Sequence, residues 1–582
     1  MPGFYISNQI CEIETDNLFN EKSLRQFIEN SEFEIRRNTL KKFLDDKVFE
    51  ENESYIAIVE GIVLNKKKLM DDYSKRSFFE TIIAMYISHG EEFFSAFRGP
   101  FSGAFYDKKT EKWIVYTNHV GEVPIFYFCN DNNFIISSDL QWITKTLKKK
   151  NIRYTLDRAA VYNLLSFGFM IDESTLISEI KRLEAGCYIS YNDKVEVKRY
   201  HSFVNTNELA EDISENEIIS ELDSRFANAV RLTYEKDIEY NYQHVAQLSG
   251  GLDSRMNVWV ADSLGYKDIL CTTFSQSDQL DEKIAKIVAK RLNKEHMIKT
   301  LDAANFLKDI DHSVKMNHGL SIYSGVAHGN SMNRYICFDN LGALHTGQLG
   351  DVIVGTYVNK STIHNKVSEI KGAYSEKLIK QNATDFASYE NEEMFLLYTR
   401  ALKGVLCTHI AFRNYTELTS PFVDVDLLEY CLSIPLKYRS KHRLYFEWIT
   451  RKYPGASRIK WEKTNAYITD GKYLARIKFV IGKWNYLDVI KYFANKLKIE
   501  NNIMSKQVKN NMNPIELWLV ENRELQEFFE KYFNENIDNQ ICDVELKKDI
   551  RDLFVRGNGI EKTLVLTALS GIKLFFGEED VH

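Results

Sequence analysis

Residues 244–255 read His-Val-Ala-Gln-Leu-Ser-Gly-Gly-Leu-Asp-Ser-Arg, a stretch that predicts a strand, a glycine turn and the start of a helix. The apolar run at 245–248 is typical of a short buried strand, and a helical pattern begins near Ser254. Glycines let the backbone approach a phosphate, and free N–H groups at a helix N-terminus point towards it. The Ser249 hydroxyl adds a donor, whereas Asp253 is itself negative, so we expect a divalent cation between that carboxylate and the phosphate. The stretch lacks the Gly-Lys-Ser/Thr ending of P-loop NTPases; the bland alternative is a chance Gly-Gly turn before a helix.

The hexapeptide at 249–254 resembles the SGGxDS pyrophosphate loop of the ATP pyrophosphatase superfamily. Enzymes with this loop cleave ATP to AMP and pyrophosphate and activate a carboxylate or carbonyl oxygen as its adenylate. The resemblance implies a requirement for ATP and Mg²⁺. The residues that it implies in nucleotide binding are Leu248, Ser249, Gly250, Gly251, Asp253 and Ser254.

A second segment, 346–357, reads Thr-Gly-Gln-Leu-Gly-Asp-Val-Ile-Val-Gly-Thr-Tyr and resembles the SGEGxDElfgGY motif of asparagine synthetases. The resemblance implies that Asp351 shares a Mg²⁺ ion with Asp253. Gln348 stands where asparagine synthetases have glutamate, and this implies altered acceptor chemistry, because glutamine cannot take up a proton at neutral pH. The alternative is that Gln348 packs and hydrogen-bonds the strand end. Further nucleotide contacts implied in this segment are Thr346 and Gly347.

Other candidate site residues are spread along the synthetase-like half. Phe274 ends a predicted strand and is a candidate adenosine contact. Glu417 opens a segment that resembles ExRxPFLD, and either this carboxylate or a nearby tyrosine is a candidate for deprotonating the nucleophile. Lys463 lies in a segment that resembles the one carrying the essential synthetase lysine, which implies stabilisation of transition-state charge; a solvated surface charge is the alternative. Asp281 and Glu282 either satisfy a helix N-terminus or act as ligands.

Residues 1–203 are β-rich, and turn residues between short apolar or alternating runs predict a layered arrangement of sheets. Four segments resemble class II glutamine amidotransferase domains, with their Ntn-type fold: 99–107 resembles GxFAFaxxD, 118–127 RDxxGxxPLyY, 134–139 faSE and 60–65 NGEIYN. The predicted strands lie at 54–63, 102–106, 112–117, 124–128, 133–137 and 186–191, and the predicted helices at 22–29, 76–88 and 156–166.

The amidotransferase-like domain lacks the nucleophile that its resemblance implies. In that family the nucleophile is a cysteine exposed as the first residue after Met is removed, and here Pro2 occupies that place. A secondary amine without a thiol cannot form a thioester with glutamine. Cys11 lies too far into the chain, and Asn118 replaces an aspartate of the family pattern. We therefore expect the domain at 1–203 to be inactive as a glutaminase.

Residues 204–215 are polar and predict a linker, and the asparagine synthetase-like domain is expected over 216–582. Strands alternate with helices, which predicts a doubly wound parallel sheet, of the adenine-nucleotide α-hydrolase (ATP pyrophosphatase) type by resemblance. Ligands bind beyond the carboxyl ends of such strands. The predicted elements are a helix at 218–233, strands at 245–248, 268–275, 296–300 and 343–347, and a helix at 281–293.

The chain is expected to be helical from about 470, with C-terminal helices at 514–533 and 560–576. Lysines alternate with apolar residues over 476–498. This pattern fits either a basic amphipathic face for a membrane or partner, or a solvated helix face that covers the core.

The bulk properties are those of a multidomain globular protein of 582 residues with a net charge of −7, so no general affinity for nucleic acid is implied. The N-terminus lacks the features of a signal peptide, and no apolar run is long enough to span a bilayer. Eight cysteines without CxxC pairs indicate reduced core residues and a cytoplasmic location.

Together the motifs resemble the asparagine synthetase, β-lactam synthetase and lasso-peptide cyclase group. They predict an ATP-dependent amide ligase of two domains, α/β and α+β, whose substrates are a small-molecule or peptide carboxylate and ammonia or an amine. A homodimer is compatible with this expectation. The alternatives are an RNA-modifying ATP pyrophosphatase, which the acidic balance and the lack of a CxxC pair disfavour, and a non-catalytic binding protein that retains the fold.

Overall fold

The structure is a computed structural model that describes residues 2–10, 23–206, 209, 213–358, 367–368, 371–381, 386–470 and 513–577. Its N-terminal part contains two six-stranded antiparallel sheets, with strand orders β10-β8-β9-β1-β3-β2 and β12-β11-β7-β6-β5-β4. The strands are β1 (Gly3–Ser7), β2 (Ser23–Ile28), β3 (Glu34–Leu40), β4 (Phe49–Glu51), β5 (Tyr55–Gly61), β6 (Phe101–Asp107), β7 (Lys112–Thr117), β8 (Phe126–Asn130), β9 (Asn133–Ser137), β10 (Lys181–Arg182), β11 (Cys187–Tyr191) and β12 (Val195–Arg199).

Alternation along the strands explains the layered packing. Ile56 and Ile58 of β5 join a buried cluster with Phe4 and Ile6 of β1, which belongs to the other sheet. Ala57, which lies between them, and Val59 join a separate cluster on the opposite face, against the following helices. A strand that is apolar on both faces can pack between two layers. The helices of this part are α1 (Lys66–Asp72), α2 (Phe78–His89), α3 (Leu140–Lys149) and α4 (Arg158–Phe167).

The predicted helix at 22–29 is wrong, because Ser23–Ile28 forms the edge strand β2. This segment pairs antiparallel with β3 over its whole length, from Ser23 opposite Leu40 to Ile28 opposite Ile35. The side chains of this segment fit either a helical or a strand period. The backbone hydrogen bonds with β3 favour the strand. The predicted strands elsewhere in this part and the helices at 76–88 and 156–166 are confirmed to within a few residues.

A five-stranded parallel sheet organises the C-terminal part, with the order β15-β14-β13-β16-β17. Its strands are β13 (Gln243–Gln247), β14 (Ile269–Ser275), β15 (Glu295–Thr300), β16 (Leu341–His345) and β17 (Leu418–Thr419). The chain proceeds from β13 outwards to β15 and then returns to the other side of β13. The carboxyl ends of β13 and β16 therefore form a topological switch point, where ligands bind in open α/β sheets.

Helices cover both faces of this sheet and form the C-terminal extension. A capping box between Ser214 and Glu217 starts the first of them, ahead of the predicted 218–233. The helices are α5 (Glu215–Glu239), α6 (Leu252–Ser263), α7 (Leu280–Leu292), α8 (Ile310–Met316), α9 (Tyr323–Asn333), α10 (Glu392–Leu396), α11 (Cys407–Phe412), α12 (Val425–Ser433), α13 (Leu436–Arg439), α14 (Arg443–Lys452), α15 (Pro454–Ser457), α16 (Ile515–Glu521), α17 (Arg523–Asn536), α18 (Val544–Arg556) and α19 (Gly559–Phe576), with π-helical turns at Val352–Thr356 and Leu397–Val405.

The last helix joins the two parts of the chain. Residues of α19 share one buried apolar cluster with α3, α4 and α8. Phe575 accepts a hydrogen bond from the Tyr154 hydroxyl at 2.8 Å, through its backbone oxygen. The C-terminal helices predicted at 514–533 and 560–576 are confirmed, the first as two consecutive helices.

Two expectations fall wholly or partly outside the described residues. The basic stretch 476–498 lies outside them, as do 207, 208 and 210–212 of the predicted linker. Among the helices of the described ranges, none is both long enough and apolar enough to cross a bilayer.

Candidate functional site

The loop 249–254 lies at the carboxyl end of β13, beside the switch point, and its own hydroxyls hold its shape. The backbone N–H of Ser249 donates to Ser254 Oγ at 2.9 Å, and the two serine hydroxyls lie 2.9 Å apart. Gly251 is the N-cap of α6, and its N–H donates to Ser249 Oγ at 3.1 Å. Glycine has no side chain with which to cap a helix, so the first N–H groups of α6 are available to an anion.

The second predicted segment packs directly against this loop, because two glycines allow it. A Cβ atom at Gly347 would lie 2.3 Å from the backbone nitrogen of Ser254. At Gly350 it would lie 2.6 Å from Cγ of Asp253. Neither approach tolerates a side chain. The structure thus brings 346–351, with Thr346 and Gly347, next to the start of α6.

The same packing joins the two carboxylates predicted to hold the metal. The backbone N–H of Asp351 hydrogen-bonds the Asp253 carboxylate, and Tyr445 donates its hydroxyl to Asp253 Oδ1 at 2.8 Å. Burial, together with the charge of Asp351, raises the pKa of Asp253 to about 7. Burial would also raise the pKa of Asp351, but the Lys463 ammonium and His442 outweigh it and lower that pKa.

Lys463 completes this group, with its Nζ 3.1 Å from Asp351 Oδ2. The two half-buried carboxylates beside this turn are hard oxygen ligands, and one half-exposed lysine balances only one of their two charges. Asp253 and Asp351 therefore fit a Mg²⁺ ion.

Phe274 lies at the end of β14, one strand from the loop. Leu248 donates its N–H to Thr272 O at 2.8 Å, which aligns the ends of β13 and β14. The ring of Phe274 is half-buried and lies 4.9 Å from the ring of His328, tilted by 31°. The candidate adenosine contact and the loop are thus on neighbouring strands.

Gln348 is anchored by one side of its amide only. Its Nε2 donates to Thr408 Oγ1 at 2.7 Å, and Thr408 uses its one proton on the backbone oxygen of Val405 at 3.1 Å. Thr408 must therefore accept, which fixes the amide orientation. The other amide atom, Oε1 of Gln348, is buried without a hydrogen-bond partner in the described residues.

Glu417 does not belong to this group, and the structure does not support its assignment as the deprotonating residue. It is fully buried and pairs with Lys47 at 2.9 Å and with Arg413 at 3.0 Å. Burial opposes ionisation, but these two cations lower the pKa of Glu417 to about 2. A carboxylate held in this way cannot take a proton near neutral pH.

Asp281, in the first turn of α7, also contacts the loop. Gly250 donates its N–H to Asp281 Oδ1 at 2.8 Å. Burial raises the pKa of Asp281, and burial together with Asp281 raises the pKa of Glu462 to about 7. A Cβ at Gly250 would lie 2.9 Å from both Asp281 Cα and Glu462 Cβ, so this glycine lets two acidic side chains approach the loop.

Arg255 connects the loop to the segment that carries Lys463, a role that the sequence motifs do not predict. Its guanidinium is buried and donates to the backbone oxygens of Gly250 at 3.1 Å and of Lys460 at 2.7 Å. It also donates to the backbone oxygens of Ala456 and Ile459. In the sequence, its position directly after the loop 249–254 is the one indication of this role. For Tyr445, nearly 200 residues away in sequence, there was no local signal.

A second group of residues of types that bind metals lies where α5 packs against β13 and β16. Asp237 Oδ2 lies 2.9 Å from His244 Nδ1 and 2.7 Å from His345 Nε2, and all three residues are buried. Thr419 Oγ1 lies 3.0 Å from the remaining ring nitrogen of His345. These hydrogen bonds satisfy the buried groups without an ion, and they join α5 to the ends of two strands.

Comparisons with known proteins agree with this organisation. The family model described as glutamine amidotransferase domain matches residues 45–201, and the one described as asparagine synthase matches residues 221–455. Asparagine synthetase [glutamine-hydrolyzing] 1 of Bacillus subtilis is 21% identical over 268 residues, which cover 45% of this chain and 41% of that protein. Amidase chry2 of Gibberella zeae is 24% identical over 195 residues, covering 32% of this chain and 27% of that protein.

The chain thus spans less than half the length of these relatives. A solved glutamine PRPP amidotransferase from B. subtilis covers 46% of this chain and 51% of its own, at 10% identity and a TM-score of 0.21, which is too low to bear on the fold. In the order of the two sheet systems, residues 45–201 belong to the glutamine amidotransferase domain family and residues 221–455 belong to the asparagine synthase family.

Proposed function

We propose that this protein is an ATP-dependent carbon–nitrogen ligase, which adenylates a carboxylate and transfers the acyl group to ammonia or an amine. The observation that carries the proposal is the meeting of three features at the switch point. These are the N–H groups at the start of α6, the Asp253–Asp351 carboxylate pair and the Lys463 ammonium. Fold stability does not require two half-buried acids to be held together beside a phosphate-type turn, because their like charges repel each other.

The first half-reaction joins a carboxylate oxygen to the α-phosphorus of ATP and breaks the bond between the α-phosphorus and the bridging oxygen. Pyrophosphate leaves with the charge that develops on that oxygen. The loop N–H groups and the Ser249 and Ser254 hydroxyls would bind this group, and Lys463 would stabilise its growing charge. A Mg²⁺ ion held by Asp253 and Asp351 would supply further positive charge for the phosphate oxygens.

The second half-reaction joins a nitrogen atom to the acyl carbon, releases AMP and loses one proton from nitrogen. The unpartnered Oε1 of Gln348 is a hydrogen-bond acceptor, so it suits an N–H group of a neutral nucleophile. Because Gln348 cannot take up the proton, another base or solvent would remove it. We therefore favour ammonia or an uncharged amine as the acceptor.

The proposed nitrogen source is not glutamine, because Pro2 occupies the place of the N-terminal cysteine. Purified protein with glutamine and Mg-ATP should form no glutamate above the level of a mock preparation. Ammonium chloride should support turnover in the same assay. Protein-dependent glutamate release would refute this part of the proposal.

The adenylation step can be tested with hydroxylamine as a small general nucleophile. The protein is incubated with Mg-ATP, hydroxylamine and a panel of carboxylates that begins with aspartate, and AMP, pyrophosphate and hydroxamate are measured. We expect equal amounts of AMP and pyrophosphate with at least one carboxylate, and their loss in Asp351→Asn. Formation of ADP and phosphate in their place would contradict adenylation.

A further inference from the structure

Helix α11 lies between the two parts of the chain and contacts the candidate site on one side and the amidotransferase-like domain on the other. On the site side, His409 Nε2 lies 3.3 Å from Thr346 Oγ1, and the neighbouring Thr408 accepts the hydrogen bond of Gln348. On the other side, His409 Nδ1 lies 3.0 Å from Glu122 Oε1. The helix thus connects both ends of the segment 346–348 to the N-terminal domain.

The contact with the N-terminal domain is buried and charged. Glu122, His409 and Thr346 are each at most 2% exposed. Arg413 directly follows α11 and lies one turn beyond His409. It approaches Glu60 at 3.4 Å, so a histidine and an arginine one turn apart meet two carboxylates of the other domain. Low solvent access strengthens such pairs and makes the loss of one partner costly.

Asn118 explains how Glu122 is held. Asn118 Nδ2 donates to Glu122 Oε2 at 3.0 Å, and its Oδ1 accepts the Glu122 backbone N–H at 2.9 Å. An aspartate at this position, as in the family pattern, could not donate and would place a second negative charge beside Glu122. The substitution that departs from the amidotransferase pattern is therefore the one that orients Glu122 towards His409.

Both N-terminal contacts come from segments that resemble amidotransferase motifs, Glu60 from the one at 60–65 and Glu122 from the one at 118–127. We propose that the amidotransferase-like domain acts as a positioning domain for the synthetase site, through the interdomain chain Asn118, Glu122, His409 and Thr346. This inference rests on the proposed function. It assigns His409 a positioning role, because His409 acts on the nucleotide segment through Thr346.

Two substitutions of His409 separate positioning from stability. An asparagine amide nitrogen overlays the histidine Nδ1, so His409→Asn keeps the donor to Glu122 and loses the contact with Thr346. A glutamine amide overlays Nε2, so His409→Gln keeps the contact with Thr346 and loses Glu122. Tyr240→Phe is the matched control, because it removes the interdomain hydrogen bond to Asp46 Oδ1, of 2.5 Å, at a different place in the interface.

Binding of α,β-methylene-ATP with Mg²⁺ is measured by calorimetry on the full chain, together with thermal unfolding. We expect the two His409 variants to bind the analogue about tenfold more weakly, and Tyr240→Phe to bind within twofold of the wild type. Loss of affinity in Tyr240→Phe equal to that in the His409 variants, or unchanged affinity in the His409 variants, would overturn the inference. Failure of the wild type to bind the analogue would instead refute the proposed function.

A charge swap provides a second measurement that does not depend on His409. Asn118→Asp should weaken analogue binding about tenfold, because it places two carboxylates together. Adding Glu122→Gln to this variant supplies an amide donor to the introduced carboxylate and leaves an oxygen for His409, so part of the affinity should return. An Asn118→Asp protein that folds and binds as tightly as the wild type would contradict the proposal.

Discussion

The backbone N–H of Gly250 donates to Asp281 Oδ1 at 2.8 Å, so the loop proposed to bind pyrophosphate already holds a carboxylate. A phosphate oxygen needs the same N–H group. Nucleotide binding at this loop would therefore displace Asp281 or require a cation beside it.

Removing this charge predicts tighter nucleotide binding. Asp281→Asn deletes a negative group beside the polyphosphate and weakens its competition for Gly250 N–H. We expect the KM for ATP in pyrophosphate release to fall about two- to tenfold, with kcat little changed. A rise in KM would instead assign Asp281 to a cation-binding role.

The carboxylate pair predicts a large loss in the first half-reaction. Asp253→Asn and Asp351→Asn keep the side-chain shape and remove one charge each from the proposed Mg²⁺ site, so pyrophosphate release should fall at least about 100-fold. Thermal unfolding should change little, because each substitution also relieves the repulsion between two neighbouring carboxylates. Normal turnover in both variants would exclude a shared metal.

Tyr445→Phe, which only removes the hydroxyl donor to Asp253, should give a smaller loss of pyrophosphate release, of about tenfold.

Arg255 should affect turnover although it contacts only backbone oxygens. Arg255→Lys replaces a fork that reaches four backbone oxygens by a single ammonium, so the segment carrying Lys463 loses contacts with the loop. We expect kcat for pyrophosphate release to fall about tenfold or more and stability to fall by about 1–3 kcal/mol. If kcat is unchanged at a temperature where the variant is folded, the role of Arg255 is confined to stability.

Gln348→Glu should separate the two half-reactions. The anchor to Thr408 can persist if the threonine hydroxyl turns towards the new carboxylate, so adenylation should remain within a few-fold of the wild type. Amide formation should change, because the unpartnered acceptor becomes a charged base. Exchange of labelled pyrophosphate into ATP and formation of the amide or hydroxamate are measured separately. Equal losses in both would mean that Gln348 supports nucleotide binding and not acceptor choice.

Glu417 should make the stability of the fold sensitive to acid, and it should have no role in catalysis. Its pKa is about 2 in the folded chain, below the ordinary value of 4.5, so its stabilising contribution is complete above about pH 4.5 and is lost as the pH falls towards 2. Glu417→Gln removes the closer carboxylate partner of buried Lys47 and leaves it Glu60 at 3.8 Å, so the substitution should cost about 3–5 kcal/mol at neutral pH. The variant should also lose less stability than the wild type between pH 4.5 and 2. Equal acid sensitivity of the two proteins in chemical denaturation would contradict this account of the ion pair.

The local elements of the site were predictable, because each depends on neighbouring residues. The apolar run at 245–248, the glycine turn and the helix that follows appear as β13, loop and α6. The alternation of strands and helices after residue 240 predicted the parallel sheet, since parallel strands need long helical crossovers. The helix prediction for 22–29 was wrong because an edge strand gains its hydrogen bonds from another strand. Here that strand is β3, and no pattern within 22–29 indicates this pairing.

The sequence by itself determined the phosphate-type turn, because glycines directly after a short apolar strand specify the local backbone geometry. Resemblance to known motifs indicated the two domain types and suggested Asp253 and Asp351 as a pair. Only the tertiary structure decided which other side chains reach this turn. Contacts between residues far apart in the chain involve Arg255, Tyr445 and His409. Glu417 lies outside the site, where it pairs with Lys47 of the other domain. Charges and hydrogen bonds act over a few ångströms of space, and the fold alone sets which residues lie within that range.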